Sequence, residues 1–400
     1  MRRPVAVGAV LLLGAAALAG CGGGGDGAST TGSSGRTIRV PADQPTIQKG
    51  VDAAATGDVV LISPGTYHEA VEVRTDGITV RGVNRNTVIL DGRDQLADGI
   101  AVDADHVAVE NLTARRYQNN GVLIDGSHGV TDGEKYPADA QPGKGDLAID
   151  GYRVAYVTAA NNGLYGIYVF ASRNGVVTNS YVSGSPDSGL YIGQCDPCNA
   201  EVRNVTMRDN AIGYFATNTR GRVLVTESDM SHNRLGVALN SDDAELGAPQ
   251  AGTTVRDSTI TANDNAAAPA IREGFSGGGV GIAGGRDNVI ANNRITDNGG
   301  VGVLLVSQQG YRAAKNTVTG NRIEGHDVDV VSVVRSAGCF SGNSIGTSIP
   351  DDIQRVAPCT GRATVAPTRR PFTPAKAPPD VDYTKIPLPP KQPTMPTTTG

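Results

Sequence analysis

One short pattern returns along most of the chain and limits what it can fold into. Gly99-Ile-Ala-Val, Gly121-Val-Leu-Ile, Gly166-Ile-Tyr-Val, Gly189-Leu-Tyr-Ile, Gly213-Tyr-Phe-Ala, Gly236-Val-Ala-Leu and Gly302-Val-Leu-Leu all share it, as does Gly77-Ile-Thr-Val. Where no insertion intervenes, the spacing is 22 to 24 residues. A second motif ends in a polar residue, as in Val-Ala-Val-Glu-Asn111, Gly-Val-Val-Thr-Asn179, Ala-Glu-Val-Arg-Asn204, Val-Leu-Val-Thr-Glu227, Thr-Thr-Val-Arg-Asp257 and Asn-Val-Ile-Ala-Asn292. Such strands cannot enclose a core within one repeat. Stacked as a spiral they can, each coil pairing in parallel with the next at ~4.8 Å. The polar residues closing the second motif are expected to stack and bond one another and the backbone. Composition agrees: 53 of 400 residues are Gly, aromatics make up 4% and Trp is absent, which argues against a helical bundle.

The ends differ from the middle. Arg2 and Arg3 precede an apolar run to Ala19, closing in Leu18-Ala19-Gly20-Cys21. Residues 1–20 read as a secretory signal, too short to span a membrane comfortably. The last four residues resemble the lipobox of bacterial lipoproteins, which implies an acylated Cys21, anchorage to the cell membrane and an extracytoplasmic location. Residues 21–36 are a Gly/Ser-rich tether. Residues 363–400 are rich in Pro and Thr and read as an extended tail, lying on the body or reaching into solvent. The formal charge of −5 becomes −7 without Arg2 and Arg3, so the basic footprint of a nucleic-acid binder is missing.

An oxidising destination makes the other cysteines an even set of four. Cys195 and Cys198 form a Cys-Asp-Pro-Cys that can be redox-active, zinc-binding or a structural staple; with no second CxxC and no thioredoxin-like context, the staple is favoured. A Cys339–Cys359 disulfide would pin the last coil.

The fold implied is all-β: a right-handed parallel β-helix over residues 37–362, with a helical N-cap at 37–56. Here the chain resembles the pectate-lyase-like superfamily over roughly residues 37–349. Thr46-Ile-Gln48, Val59-Val-Leu-Ile and Pro64-Gly65-Thr66-Tyr67-His68-Glu69 are similar to the opening of many such proteins, including pectin esterases and NosD-type copper-accessory proteins. Gly65-Thr-Tyr67-His-Glu69 matches the esterase Gly-x-Tyr-x-Glu, yet the later esterase, lyase and epimerase signatures are not found. A structural role is therefore favoured for Gln48, Tyr67 and Glu69. Fold alone assigns no activity.

Site candidates follow from alternation. Ile100/Val102, Val122/Ile124, Ile167/Val169, Leu190/Ile192 and Val237/Leu239 point inward. Tyr168, Tyr191 and Phe215 point outward on consecutive coils, a flat surface suited to stacking sugar rings. The opposing reading is a satellite core under a folded-over loop. Arg81, Asp103 and Asp125 occupy the next outward column. Asp103 and Asp125, one coil apart, suit acid/base work or a shared Ca2+. His106 and His128, expected to stack on neighbouring coils, suit a metal. The insertion 129–145, the stretch opening at Asn240 and Ser307–Arg312 would wall a groove at one corner. For all these Asp and His residues an ordinary turn role competes with function and is favoured. The preferred function is a non-catalytic rod binding extended polysaccharide; the alternative is a lyase, epimerase or glycoside hydrolase using Asp103 and Asp125, and a NosD-like metal role is weaker. Lipidation predicts that Cys21→Ala moves the protein from the membrane pellet to the soluble fraction; unchanged sedimentation contradicts it.

Overall fold

A computed structural model describes residues 35–127, 148–270, 276–361, 373 and 377–396. The chain winds as a parallel β-helix with three strand faces per coil. Sheet 1 runs from Thr37–Val40 through Val59–Ile62, Thr79–Gly82 and Val107–Glu110 to Gly338–Ser341, twelve strands in parallel register. Sheet 2 is built of short strands such as Thr113–Arg115, Thr158–Ala160, Tyr181–Ser183, Thr206–Arg208 and Asp229–Ser231. Sheet 3 holds Val71–Val73, Ile100–Val102, Asn120–Asp125, Tyr165–Phe170, Ser188–Gly193, Ile212–Thr217, Leu235–Asn240 and Gly278–Ala283. The strands Arg294–Val306 and Arg322–Ser332 turn the corner and join sheets 2 and 3.

Side-chain alternation explains the core. On sheet 3 the pairs Ile100/Val102, Val122/Ile124, Ile167/Val169, Leu190/Ile192 and Val237/Leu239 are fully buried in one continuous aliphatic column. Burying each contributes about 1.5–3 kcal/mol. Tyr214 fills the same column where its coil lacks a branched side chain.

The Gly77 repeat corrects the expected stacking. Thr79–Gly82 belongs to sheet 1, where Arg81 lies beside Glu110, and the residue preceding Ala101 on sheet 3 is Glu72. Both sheets carry the same Gly-apolar-x-apolar pattern, so a spacing equal to the coil length does not tell them apart.

The expected corner bonds form in part, Asn204 Nδ2 donating to Asn179 Oδ1 at 2.7 Å and Asn111 Nδ2 to Gly82 O at 2.9 Å, but the longer amide ladders run elsewhere. Asn111, Asn179, Asn204, Glu227, Asp257 and Asn292, which close the second motif, have φ between 50° and 56° and make the left-handed corner between sheets 1 and 2. Asn and Asp tolerate that region better than most side chains. The long amide stacks stand beside the corners and point inward. Asn233 Oδ1 accepts the backbone N–H of Asn210 at 3.0 Å, Asn263 Oδ1 accepts that of Asn233 at 3.0 Å, and Asn298 Oδ1 accepts that of Asn263 at 3.1 Å. Each Nδ2 donates onward to the next Oδ1 as well. A second stack passes from Ser258 through Asn293, Asn321 and Asn343 to Gln354.

At the first coil the helix Ile47–Asp52 buries Ile47 and Val51, with Thr46 Oγ1 accepting from Lys49 N. Glu69 accepts the N–H groups of Ile47 and Gln48, Gln48 exchanges bonds with the Glu72 backbone, and the Tyr67 hydroxyl donates to Ser63 O. The Gly-x-Tyr-x-Glu element is thus engaged in local hydrogen bonds. Both disulfides, Cys195–Cys198 and Cys339–Cys359, are formed.

Asn263→Ala strips the acceptor from two donors of Asn233 and the donor from Met230 O. A loss of about 1–3 kcal/mol is expected, read as a lower urea midpoint, because buried partners are left unsatisfied; an unchanged midpoint contradicts the ladder's role.

Candidate functional site

Sheet 3 places the aromatic residues in one ladder. Leu123, Tyr168, Tyr191, Phe215 and Ala238 are consecutive register partners, all on the outer side because their neighbours face the core. The rings of Tyr168 and Tyr191 stack at 4.7 Å between centroids with 21° between planes. Phe215 meets Tyr191 edge-on at 5.4 Å and 81°. Two further rings join: Tyr165 at 4.5 Å from Tyr168, and Phe170 at 6.0 Å. Tyr165 escaped the alternation argument because Gly166 interrupts the pleat; the extra tyrosine three residues before Tyr168 was the available signal.

Tyr191 is not the open ring that its outward register suggested. It is 2% exposed. The chain after Asn240 folds back over it: Asn218 Nδ2 donates to the carbonyls of Asp242 and Glu245, Leu246 N donates to Gln194 Oε1, and the Tyr191 hydroxyl donates to the Glu245 carboxylate at 3.4 Å. Burial, reinforced by the Glu245 charge, pushes the Tyr191 hydroxyl well above its usual range. The ring lies towards Gly193, where a Cβ would fall 2.0 Å from its hydroxyl oxygen, so a side chain there would force the ring to shift. Tyr165, Tyr168 and Phe215 stay partly exposed around this buried centre, while Phe170 is buried.

The acidic column is only partly assembled. Asp103 and Asp125 lie one step beyond the paired residues Val102 and Ile124, hence on neighbouring coils. Asp125 turns into its own corner, where Oδ1 accepts from both Ser127 N and Ser127 Oγ. Arg81 does not join them: its guanidinium pairs on sheet 1 with Glu110, which Arg153 also holds at 2.7 Å. Asp98, at the head of the Asp103 strand, is a carboxyl that burial raises above its ordinary range, with Asn120 donating to it from two nitrogens.

His106 sits at a left-handed corner with φ 56°. Val107 pairs with Tyr152, so the neighbour stacked on His106 is Gly151, and a Cβ there would meet the imidazole Nδ1 at 2.2 Å. The ring fills a corner, as Asn174 and Asn199 do on later coils. His128 and the insertion 129–145 lie outside the described residues, as does Cys21. Among the described residues no group of three or more His, Cys, Asp or Glu is arranged to hold a metal ion.

Asn218→Gly keeps the left-handed backbone, φ 49°, while removing the amide that holds the covering loop. Hydroxyl-radical labelling of Tyr191 is expected to rise several-fold while Tyr214 stays protected; equal protection of both contradicts the covering role.

Residues 147–323 match the family model described as "Right handed beta helix region". No curated protein matches the chain. Solved structures similar to it include the A-module of a mannuronan C-5 epimerase from Azotobacter vinelandii, 15% identical with TM-score 0.48, covering 76% of this chain and 88% of that one. A pectate lyase, 16% identical with TM-score 0.45, covers 76% and 74%. An alginate lyase from Paenibacillus sp. str. FPU-7, 13% identical with TM-score 0.47, covers 78% and 97%. The chain is a right-handed parallel β-helix, the fold expected from its resemblance to the pectate-lyase-like superfamily.

Proposed function

We propose that this protein is an extracytoplasmic rod, tethered through a lipid on Cys21, that binds an extended polysaccharide on the ring cluster of sheet 3 without transforming it. The observation that carries this reading is the cluster itself. Five of the chain's 17 Tyr and Phe side chains meet on one outer face, with mutual ring separations of 4.5–6.0 Å. Partly exposed Tyr165, Tyr168 and Phe215 present flat apolar faces, the chemistry on which a pyranose stacks, while tyrosine hydroxyls supply hydrogen bonds to its rim. The buried Tyr191 acts as the platform that fixes their orientation. Coils repeated at ~4.8 Å favour a linear polymer over a compact ligand.

A catalytic reading keeps one supporting observation, the placement of Asp103 and Asp125 on neighbouring coils. Against it stand the engagement of Asp125 with Ser127 and the removal of Arg81 to another sheet.

One experiment separates the two. On an array of uronans and neutral glycans, the wild type is expected to retain one class intact, and Tyr168→Ala is expected to weaken retention at least ten-fold while the melting temperature holds. Ultraviolet-absorbing or reducing ends that vanish with Asp125→Asn would establish the enzyme instead; retention unchanged in Tyr168→Ala sinks the stacking surface.

A further inference from the structure

The outer face of sheet 2 carries polar groups that no glycan reading uses. Its outward columns include Thr158, Ala160, Ser183 and Ser231, which are 4%, 0%, 2% and 2% exposed although they point away from the core. The hydroxyls of Thr158, Ser183 and Ser231 have no hydrogen-bond partner among the described residues. Something covers this face, and the C-terminal segment crosses it.

Most contacts of residues 377–396 fall on their main chain, the Asp380 carboxylate 4.0 Å from Arg234 being a side-chain exception. Arg234, itself 3% exposed, donates to the carbonyls of Pro378 at 2.9 Å and Pro379 at 2.7 Å. Asn161 Nδ2 donates to the carbonyls of Tyr383 and Ile386 at 3.0 and 2.6 Å. Asn86 both donates to and accepts from the Gln392 backbone, and Asn111 Oδ1 accepts from Thr394 Oγ1 and Met395 N. Body side chains thus read mainly the tail's main chain, and Ile386, 9% exposed, is the tail's inward anchor. The sequence spacing fits an extended strap. From Arg234 to Asn161 is three coils, ~14 Å at ~4.8 Å each; Pro379 to Tyr383 spans ~12 Å in a polyproline helix.

We infer that the outer face of sheet 2, from Arg234 to Asn86, is a binding groove for an extended proline-rich peptide, that residues 377–396 are its resident occupant, and that the same segment of a second copy can take their place. Prolines suit this role because their backbone is already extended, so docking orders little, and the carbonyls of Pro378 and Pro379 remain free for Arg234. Peptide affinity comes from carbonyl capture at both edges and one apolar side chain between. In the full chain the tethered occupant competes with any free segment through its high effective concentration.

The test uses the full chain and a labelled peptide of residues 377–396. Ile386→Asp frees the groove without altering it. Peptide binding by anisotropy is expected to be at least ten-fold tighter to this variant than to wild type, and trypsin is expected to cut faster at Lys391. Adding Asn161→Gly, which preserves the left-handed corner but removes the capturing amide, is expected to abolish the gained binding. Equal binding to wild type and Ile386→Asp, or equal binding of a scrambled peptide, overturns the proposal. Loss of glycan retention has no bearing on it, since the rings lie on another sheet.

Discussion

Registry between coils is the constraint on which everything else in this molecule depends. A single coil buries almost nothing, so each apolar pair becomes core only when the next coil places its own pair directly above. The amide ladders enforce that alignment. A one-residue slip at Asn233 would leave its own N–H and the acceptor Asn263 unpaired in a dry interior, a penalty comparable with losing a hydrogen bond outright. Left-handed residues at the corners aim the chain back towards the axis, which is why Asn and Asp crowd these positions.

The same registry explains how a chain poor in aromatics concentrates them. Outward positions on sheet 3 are free of packing demands from the core, yet they repeat at the coil spacing, so Tyr168, Tyr191 and Phe215 fall into contact. The loop after Asn240 then divides the cluster into a sealed centre and a partly exposed rim. A surface of this sort is stiff because its middle ring is held on every side, and stiffness lowers the entropic cost of stacking a ligand.

The sheets partition the polar chemistry as well. Arg81, Glu110 and Arg153 form a buried-acid network on sheet 1, the carboxylates Asp103 and Asp125 lie at the end of sheet 3, and the tail crosses sheet 2. Arg81, Asp103 and Asp125, which look like one column in the sequence, therefore serve two separate faces.

The coiled architecture, the inward aliphatic column and the outward ring ladder were legible from glycine spacing and strict alternation, since both follow from a two-residue side-chain period repeated at fixed length. Sheet 2 was not: its three-residue strands turn a single residue inward, such as Ala159, Val182 or Met207, too few to show a period. Arg81 was assigned to the wrong column because two sheets share one motif, and only pairing tells which strand stacks on which. The burial of Tyr191 depended on a loop attached two coils away, and the strap on contacts across more than 200 residues. Local pattern determines what each coil can become; which insertions and termini return to cover its outer faces is decided by three-dimensional proximity, which linear order does not encode.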